Sequence, residues 1–257
     1  MTVAFYDESR HPRAGFSVGA FVIFADDPTV EIQSIIRDAG LVPGQDEYKS
    51  RHRHDQDQRW ITLRAELYRI ARSASIGLAF FAEDERAAQA ENIAAGLAHI
   101  LHENSFAAPV QVFFDQGVFR SAAHWKTVRA KFPDLESVHA EPSCDSKAVP
   151  GIQVADLVAH TCAVVISADL GIVAKTVKAG PNSGYDEDLD LPLEFELWAS
   201  LRWSFPCKRI TDPELQDAAS AGLVDTSGAI YTAPNCPIDV RAAVESSYHR
   251  TWRGCIH

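Results

Sequence analysis

Residues 2–25 read TVAFYDESRHPRAGFSVGAFVIFA, two apolar stretches joined by a turn. In Thr2–Asp7 the side chains alternate, with Val3, Phe5 and Asp7 on one face and Ala4 and Tyr6 on the other, the period of a strand. His11, Pro12 and Gly15 supply the turn. Phe16–Ala25 is apolar at nearly every position, the pattern of a strand buried on both faces at the centre of a sheet. Downstream, strand patterns at Ser75–Ala82, Pro109–Asp115 and Leu135–Glu141 alternate with helical spacing near residues 28–40, 58–73, 83–104, 118–131 and 150–168. This alternation predicts an α/β domain over residues 1–174, a mixed sheet flanked by helices. Residues 41–57 are polar and irregular, as a functional loop would be. Residues 175–257, with helical spacing at 193–204 and 239–250, read as a mainly helical C-terminal extension packed on the core. Trp198, Trp203, Phe195 and Leu201 fit helix packing there rather than a base-stacking platform.

The chain has 257 residues, 46% of them hydrophobic, enough for a core that needs no metal or disulfide staple. Its longest apolar run, Val154–Ala168, is broken by Asp156, His160, Thr161 and Ser167 and falls short of the roughly 18 unbroken apolar residues of a membrane span. The opening MTVAFYDES lacks the basic region of a signal peptide. A soluble, cytoplasmic protein with no membrane partner is expected. The five cysteines are odd in number and contain no C-x-x-C, which fits a reducing compartment.

Twenty-four Lys and Arg face 35 Asp and Glu, a formal charge of −11. That balance disfavours indiscriminate binding to nucleic acid or anionic membrane. The charges are segregated, however. Lys49, Arg51, Arg53, Arg59 and Arg64 cluster in residues 49–64, and Arg120, Lys126, Arg129 and Lys131 cluster in 118–131 without an acid. Residues 185–196 carry Asp186, Glu187, Asp188, Asp190, Glu194 and Glu196 without a base. Solvated surface is the ordinary role of such runs.

Three acids stand in apolar settings: Asp7 ends VAFYD, Asp115 ends VQVFFD, and Asp156 sits within GIQVADLVAHTCAVV. An unpaired buried carboxylate costs several kcal/mol unless neutralised or bound to a cation. Singly, an Asp closing a strand is most often a turn former, and a buried helical Asp often pairs with Arg or Lys. Jointly, acids from three elements, two of them at strand ends, match how α/β sheets present ligands. Carboxylates suit Mg²⁺ or Mn²⁺. His160, four residues after Asp156, is placed to hydrogen-bond it. His52 and His54 form a weaker metal pair, since such loop histidines are usually solvated. No G-x-G-x-x-G, G-x-x-x-x-G-K or G-x-S-x-G occurs.

YDES at Tyr6–Ser9, EYK at Glu47–Lys49, VFFD ending at Asp115 and CDSKAVPGIQVADLVAH at Cys144–His160 resemble the domain-of-unknown-function 3800 family over roughly residues 2–170. The most specific piece is D-S-K followed by G-x-Q-x-A-D-L. That family is grouped with ribonuclease H-like folds. The resemblance implies an acidic, metal-holding set of Asp7, Glu47, Asp115 and Asp156, with Glu66 an alternative to Glu47. It implies support from Glu8, Lys49, Asp145, Ser146 and Gln153, and a phosphate contact from Lys147. The implied activity is a Mg²⁺- or Mn²⁺-dependent nuclease acting on DNA or RNA, with two cations about 3.5–4 Å apart clamping a phosphodiester for attack by water. The competing reading is a non-catalytic module on the same fold that binds nucleic acid or protein, as in a toxin or phage-defence system.

Overall fold

In the computed structural model the opening stretch forms an antiparallel hairpin, β1 (Thr2–His11) with β2 (Phe16–Phe24), in which Val3 faces Phe24 and His11 faces Phe16. The structure describes residues 1–51, 56–83, 86–179, 185–210 and 222–253, apart from the side chains of residues 86 and 87. His52, Arg53 and His54 lie outside the described residues. β1 runs past Asp7 because the polar Glu8–His11 segment still has β2 to pair with. Gly15, at φ 72, closes the connecting turn in a conformation that other residues adopt at a cost.

Helices α1 (Thr29–Asp38) and α2 (Gln58–Arg72) precede β3 (Ser75–Ala82). Then come α3 (Arg86–Glu103), β4 (Val110–Asp115), α4 (Ala122–Arg129), β5 (Val138–Cys144) and α5 (Gly151–Asp169). Beyond them lie β6 (Thr176–Lys178), β7 (Asp190–Pro192), α6 (Leu193–Leu201), β8 (Lys208–Arg209), β9 (Leu223–Asp225), β10 (Ile230–Thr232), α7 (Ile238–Val244) and β11 (Arg250–Trp252). The main sheet is six-stranded in the order β10-β3-β2-β1-β4-β5. β2 is antiparallel to both β1 and β3, β4 and β5 run parallel to β1, and β10 runs parallel to β3. The protein is thus α/β with a mixed sheet flanked by helices. β2, buried at every position, lies between β1 and β3, as its unbroken apolar sequence requires.

Strand alternation sorts the core into two layers. Val3, Phe5, Val18, Leu78 and Phe80 face α1, α2 and α5, while Ala4, Tyr6, Phe21, Phe81 and Phe114 face α3 and α4. Among the described helices α5 alone is long and apolar enough to cross a membrane, but 83% of that window is buried inside the protein. It is the core helix, and Gly151 lets it close on β1. A Cβ there would lie 2.5 Å from atoms of the Phe5 ring.

The C-terminal third differs from expectation. Beside α6 and α7 it contains the six short strands β6 to β11, and β10 joins the main sheet. Residues beyond 174 therefore complete the sheet as well as pack on it. Strands of two or three residues are too short to display alternation, so they leave no pattern to read. The helix expected over 239–250 ends at Val244, and a wider turn places Tyr248 in the core beside Phe80, Trp198 and Phe205. Trp203 is not a packing residue. It is 58% exposed, with the Arg202 and Arg253 guanidinium groups 5.5 and 5.7 Å from its ring. β5 begins three residues later than expected and tolerates Pro142 because it is an edge strand.

Candidate active site

The parallel pairing of β1 with β4 sets Phe5 beside Phe113 and Tyr6 beside Phe114. The next step brings Asp7, midway along β1, beside Asp115, where β4 ends. By alternation both acids share the face of Phe5 and Phe113, whose rings stack at 5.5 Å. α5 covers that face, and its close approach at Gly151 brings Asp156 near Asp7.

The fourth acid arrives on the loop between α1 and α2. Gln153, buried on α5, ties that loop to the segment between β5 and α5. Its Oε1 accepts the Tyr48 N–H at 2.9 Å, and its Nε2 donates to the Ser146 carbonyl at 2.9 Å. The Ser50 N–H donates to Asp156 Oδ2 at 2.7 Å. The Ser146 hydroxyl donates to Glu47 Oε1, and Lys49 Nζ lies 3.0 Å from the same oxygen. Segments 47–50, 146–147 and 153–156 are thereby tied into one unit near Asp7 of β1 and the end of β4.

Burial, then the charges of Asp115 and Asp156, hold the Asp7 carboxyl well above the usual range, with Lys49 opposing. Burial raises Asp115 as well, against Lys49 and the Gln116 N–H, with Glu47 and Asp156 adding to the rise. Asp156 is raised by burial despite the Ser50 N–H and Lys49. At Glu47 burial pushes upward, but the Ser146 and Lys49 hydrogen bonds prevail and the carboxyl titrates below its usual range. Lys49 shows the reverse balance: burial disfavours its charge, yet Asp7, Glu47 and Asp115 hold the ammonium charged. One ammonium thus stands among four carboxylates. Among the described residues no Lys or Arg lies at ion-pair distance from Asp7, Asp115 or Asp156.

Among the described residues no three His, Cys, Asp or Glu side chains stand close enough to form a ready-made metal site. The donors are all carboxylate oxygens, and the surplus of negative charge is what a divalent cation would offset. In donor type and charge the set suits a divalent cation; in geometry the described residues form no metal site.

No family model matches the chain, and no curated protein does. The resemblance to the domain-of-unknown-function 3800 family rests on the quoted residues alone.

The other predicted residues are placed as follows. Glu8 points to the opposite face of the sheet, where Gln89 Nε2 donates to it at 2.6 Å and burial raises its pKa. Asp145 is exposed and accepts the Lys147 N–H at 2.9 Å, shaping a turn. Lys147 is exposed near Glu47. Glu66 bonds Arg69 at 2.7 Å on the outer face of α2, so Glu47 alone of the pair joins the cluster. His160 makes no hydrogen bond with Asp156 among the described residues. The Asp156 carboxylate is instead satisfied by the Ser50 N–H, and the imidazole pKa is lowered by burial and Arg64. In the basic stretches Arg59 pairs with Asp57 and Lys131 with Glu91. Ser50 was not expected in the site, since it acts through a backbone N–H that no sequence pattern advertises.

Proposed function

We propose that this protein is a nuclease, hydrolysing phosphodiester bonds in DNA or RNA at the cluster of Asp7, Glu47, Asp115 and Asp156. The convergence of these acids, far apart in the chain, around a single lysine carries the reading. Three antiparallel strands followed by two parallel to the first, with acids on β1, before α2, at the end of β4 and within α5, support a ribonuclease H-like sheet. Asp7, Asp115, Asp156 and Glu47 would hold Mg²⁺ or Mn²⁺. When bound, the ion supplies Lewis acidity and a water of lowered pKa. Asp7 and Asp115 crowd negative charge where β4 ends beside β1. The Ser50 N–H fixes one Asp156 oxygen, and Gln153 fixes the loop bearing Glu47. Lys49 offsets part of the charge and offers a cation to a phosphate oxygen.

The test is incubation with labelled single- and double-stranded DNA and RNA in Mn²⁺. Cleavage by the wild type and its loss in Asp115→Asn are expected; cleavage that survives the substitution refutes the assignment. One observation favours the second reading, a non-catalytic binding module: the acids form no ready-made metal site among the described residues. Mn²⁺ should raise the melting temperature of a nuclease, and Asp7→Asn should abolish the rise. A wild type indifferent to Mn²⁺ would favour the binding module.

A further inference from the structure

We propose that the cavity between α2, α5 and α6 binds one nucleotide unit, with its phosphate on Arg64 and Lys175 and its base on the apolar wall. The place of that unit on a substrate strand rests on the nuclease reading; the binding site itself does not.

The cavity holds about 540 Å³, within the range of small-molecule sites. Ile61, Val164 and Leu197 give it an apolar side, and Arg64, Lys175 and His160 give it a polar one. Neither Arg64 nor Lys175 has a carboxylate at ion-pair distance among the described residues, whereas Lys178, on the same wall, pairs with Asp190 at 3.1 Å. Glu196 is the one carboxylate of the lining. In a chain of net charge −11, a wall where cations outnumber acids selects an anion. The Arg64 guanidinium lies 5.8 Å from the centre of the Tyr68 ring, and the Tyr68 hydroxyl is held by Thr161 Oγ1 at 2.7 Å. This brace presents a planar fork that matches two phosphate oxygens. Inorganic phosphate would leave the apolar side unused, while a nucleotide engages both sides.

The location connects the cavity to the acids. Asp156, His160 and Val164 succeed one another at four-residue steps on one face of α5. Each step advances about 6 Å along the axis. Buried Tyr48 is within the electrostatic reach of both Arg64 and Asp156. On the nuclease reading, a strand leaving the cavity along α5 in the direction of Asp156 would run toward the acid cluster.

Binding of a fluorescently labelled single-stranded hexanucleotide to the full chain, measured by anisotropy in EDTA, tests the site without cleavage. Adenosine monophosphate (AMP) and inorganic phosphate serve as competitors. Saturable binding is expected, displaced by AMP and weakened about tenfold or more in Arg64→Ala, the loss of a charge-assisted contact. Arg64→Lys should recover part of the loss. Ile61→Glu, at an exposed position, should also weaken binding. Direct binding of AMP without the hexanucleotide, followed by calorimetry, identifies a free mononucleotide as the ligand and still supports the site. Absence of binding by either probe, equal affinity across the variants, or displacement by phosphate as effective as by AMP overturns the proposal. Cleavage by a protein that fails this test would leave the nuclease reading standing and remove the subsite alone.

Discussion

Asp7→Asn should stabilise the protein while abolishing cleavage. Asp7 is 6% exposed and sits beside Asp115 on the neighbouring strand. Adjacent strands are about 4.8 Å apart. At that separation, with an effective dielectric constant of about 20, two carboxylates repel by about 3 kcal/mol. Attraction to Lys49 offsets part of this, leaving a net gain of about 1–2 kcal/mol on neutralising position 7. Asparagine keeps an Oδ1 to accept the Glu8 N–H, bonded to Asp7 at 2.7 Å. In a chain this size the gain corresponds to a melting-temperature rise of about 2–8 °C. The pH dependence follows from the raised carboxyl pKa. Between the unfolded and folded values the native state binds the extra proton, so wild-type stability falls as pH rises through that window. The two proteins should melt alike near pH 3.8, the ordinary aspartate value, and diverge as pH rises, with Asp7→Asn the more stable. Thermal melts in EDTA across this range measure the effect. An Asp7→Asn protein that melts below wild type at neutral pH would show that the carboxylate is favourably paired, and would refute the account of the site as an uncompensated acid cluster.

Lys49→Gln removes the ammonium from among the carboxylates. It should lower the melting temperature in EDTA by an amount that grows with pH, and Mn²⁺ should restore the loss; a loss independent of both pH and Mn²⁺ contradicts the charge argument. Gly151→Ala forces α5 away from Phe5, against whose ring the new Cβ would lie at 2.5 Å, and should cost about 1–3 kcal/mol in urea unfolding. Unchanged stability would mean that the helix can shift freely. Gln153→Ala leaves the buried Tyr48 N–H and Ser146 carbonyl without their partner, a cost of about 1–3 kcal/mol. Hydrogen exchange should report lost protection at the Tyr48 amide, and retained protection would show that Gln153 does not hold the loop.

Long periodic segments were legible wherever one face meets the core. β2, β3, α2 and α5 lie close to their predicted positions because apolar spacing and burial are the same information. Boundaries failed where a neighbour decides them. α4 starts at Ala122, capped by the Ser121 hydroxyl, while Val118 and Phe119, read as helix, are buried ahead of it. β10 is a strand because β3 offers it an open edge, not because its three residues favour one.

By itself the sequence determined that Asp7, Asp115 and Asp156 stand in apolar surroundings, because side-chain alternation and helical spacing are local. It also marked residues 41–57 as irregular. Only the tertiary structure decided that Glu47 rather than Glu66 faces those acids, that Lys49 lies among them, and that the Ser50 N–H rather than His160 bonds Asp156. Each of these depends on contacts between groups roughly a hundred residues apart, such as Tyr48 with Gln153 and Ser50 with Asp156. Local propensity does not encode such contacts; closure of α5 onto β1 does.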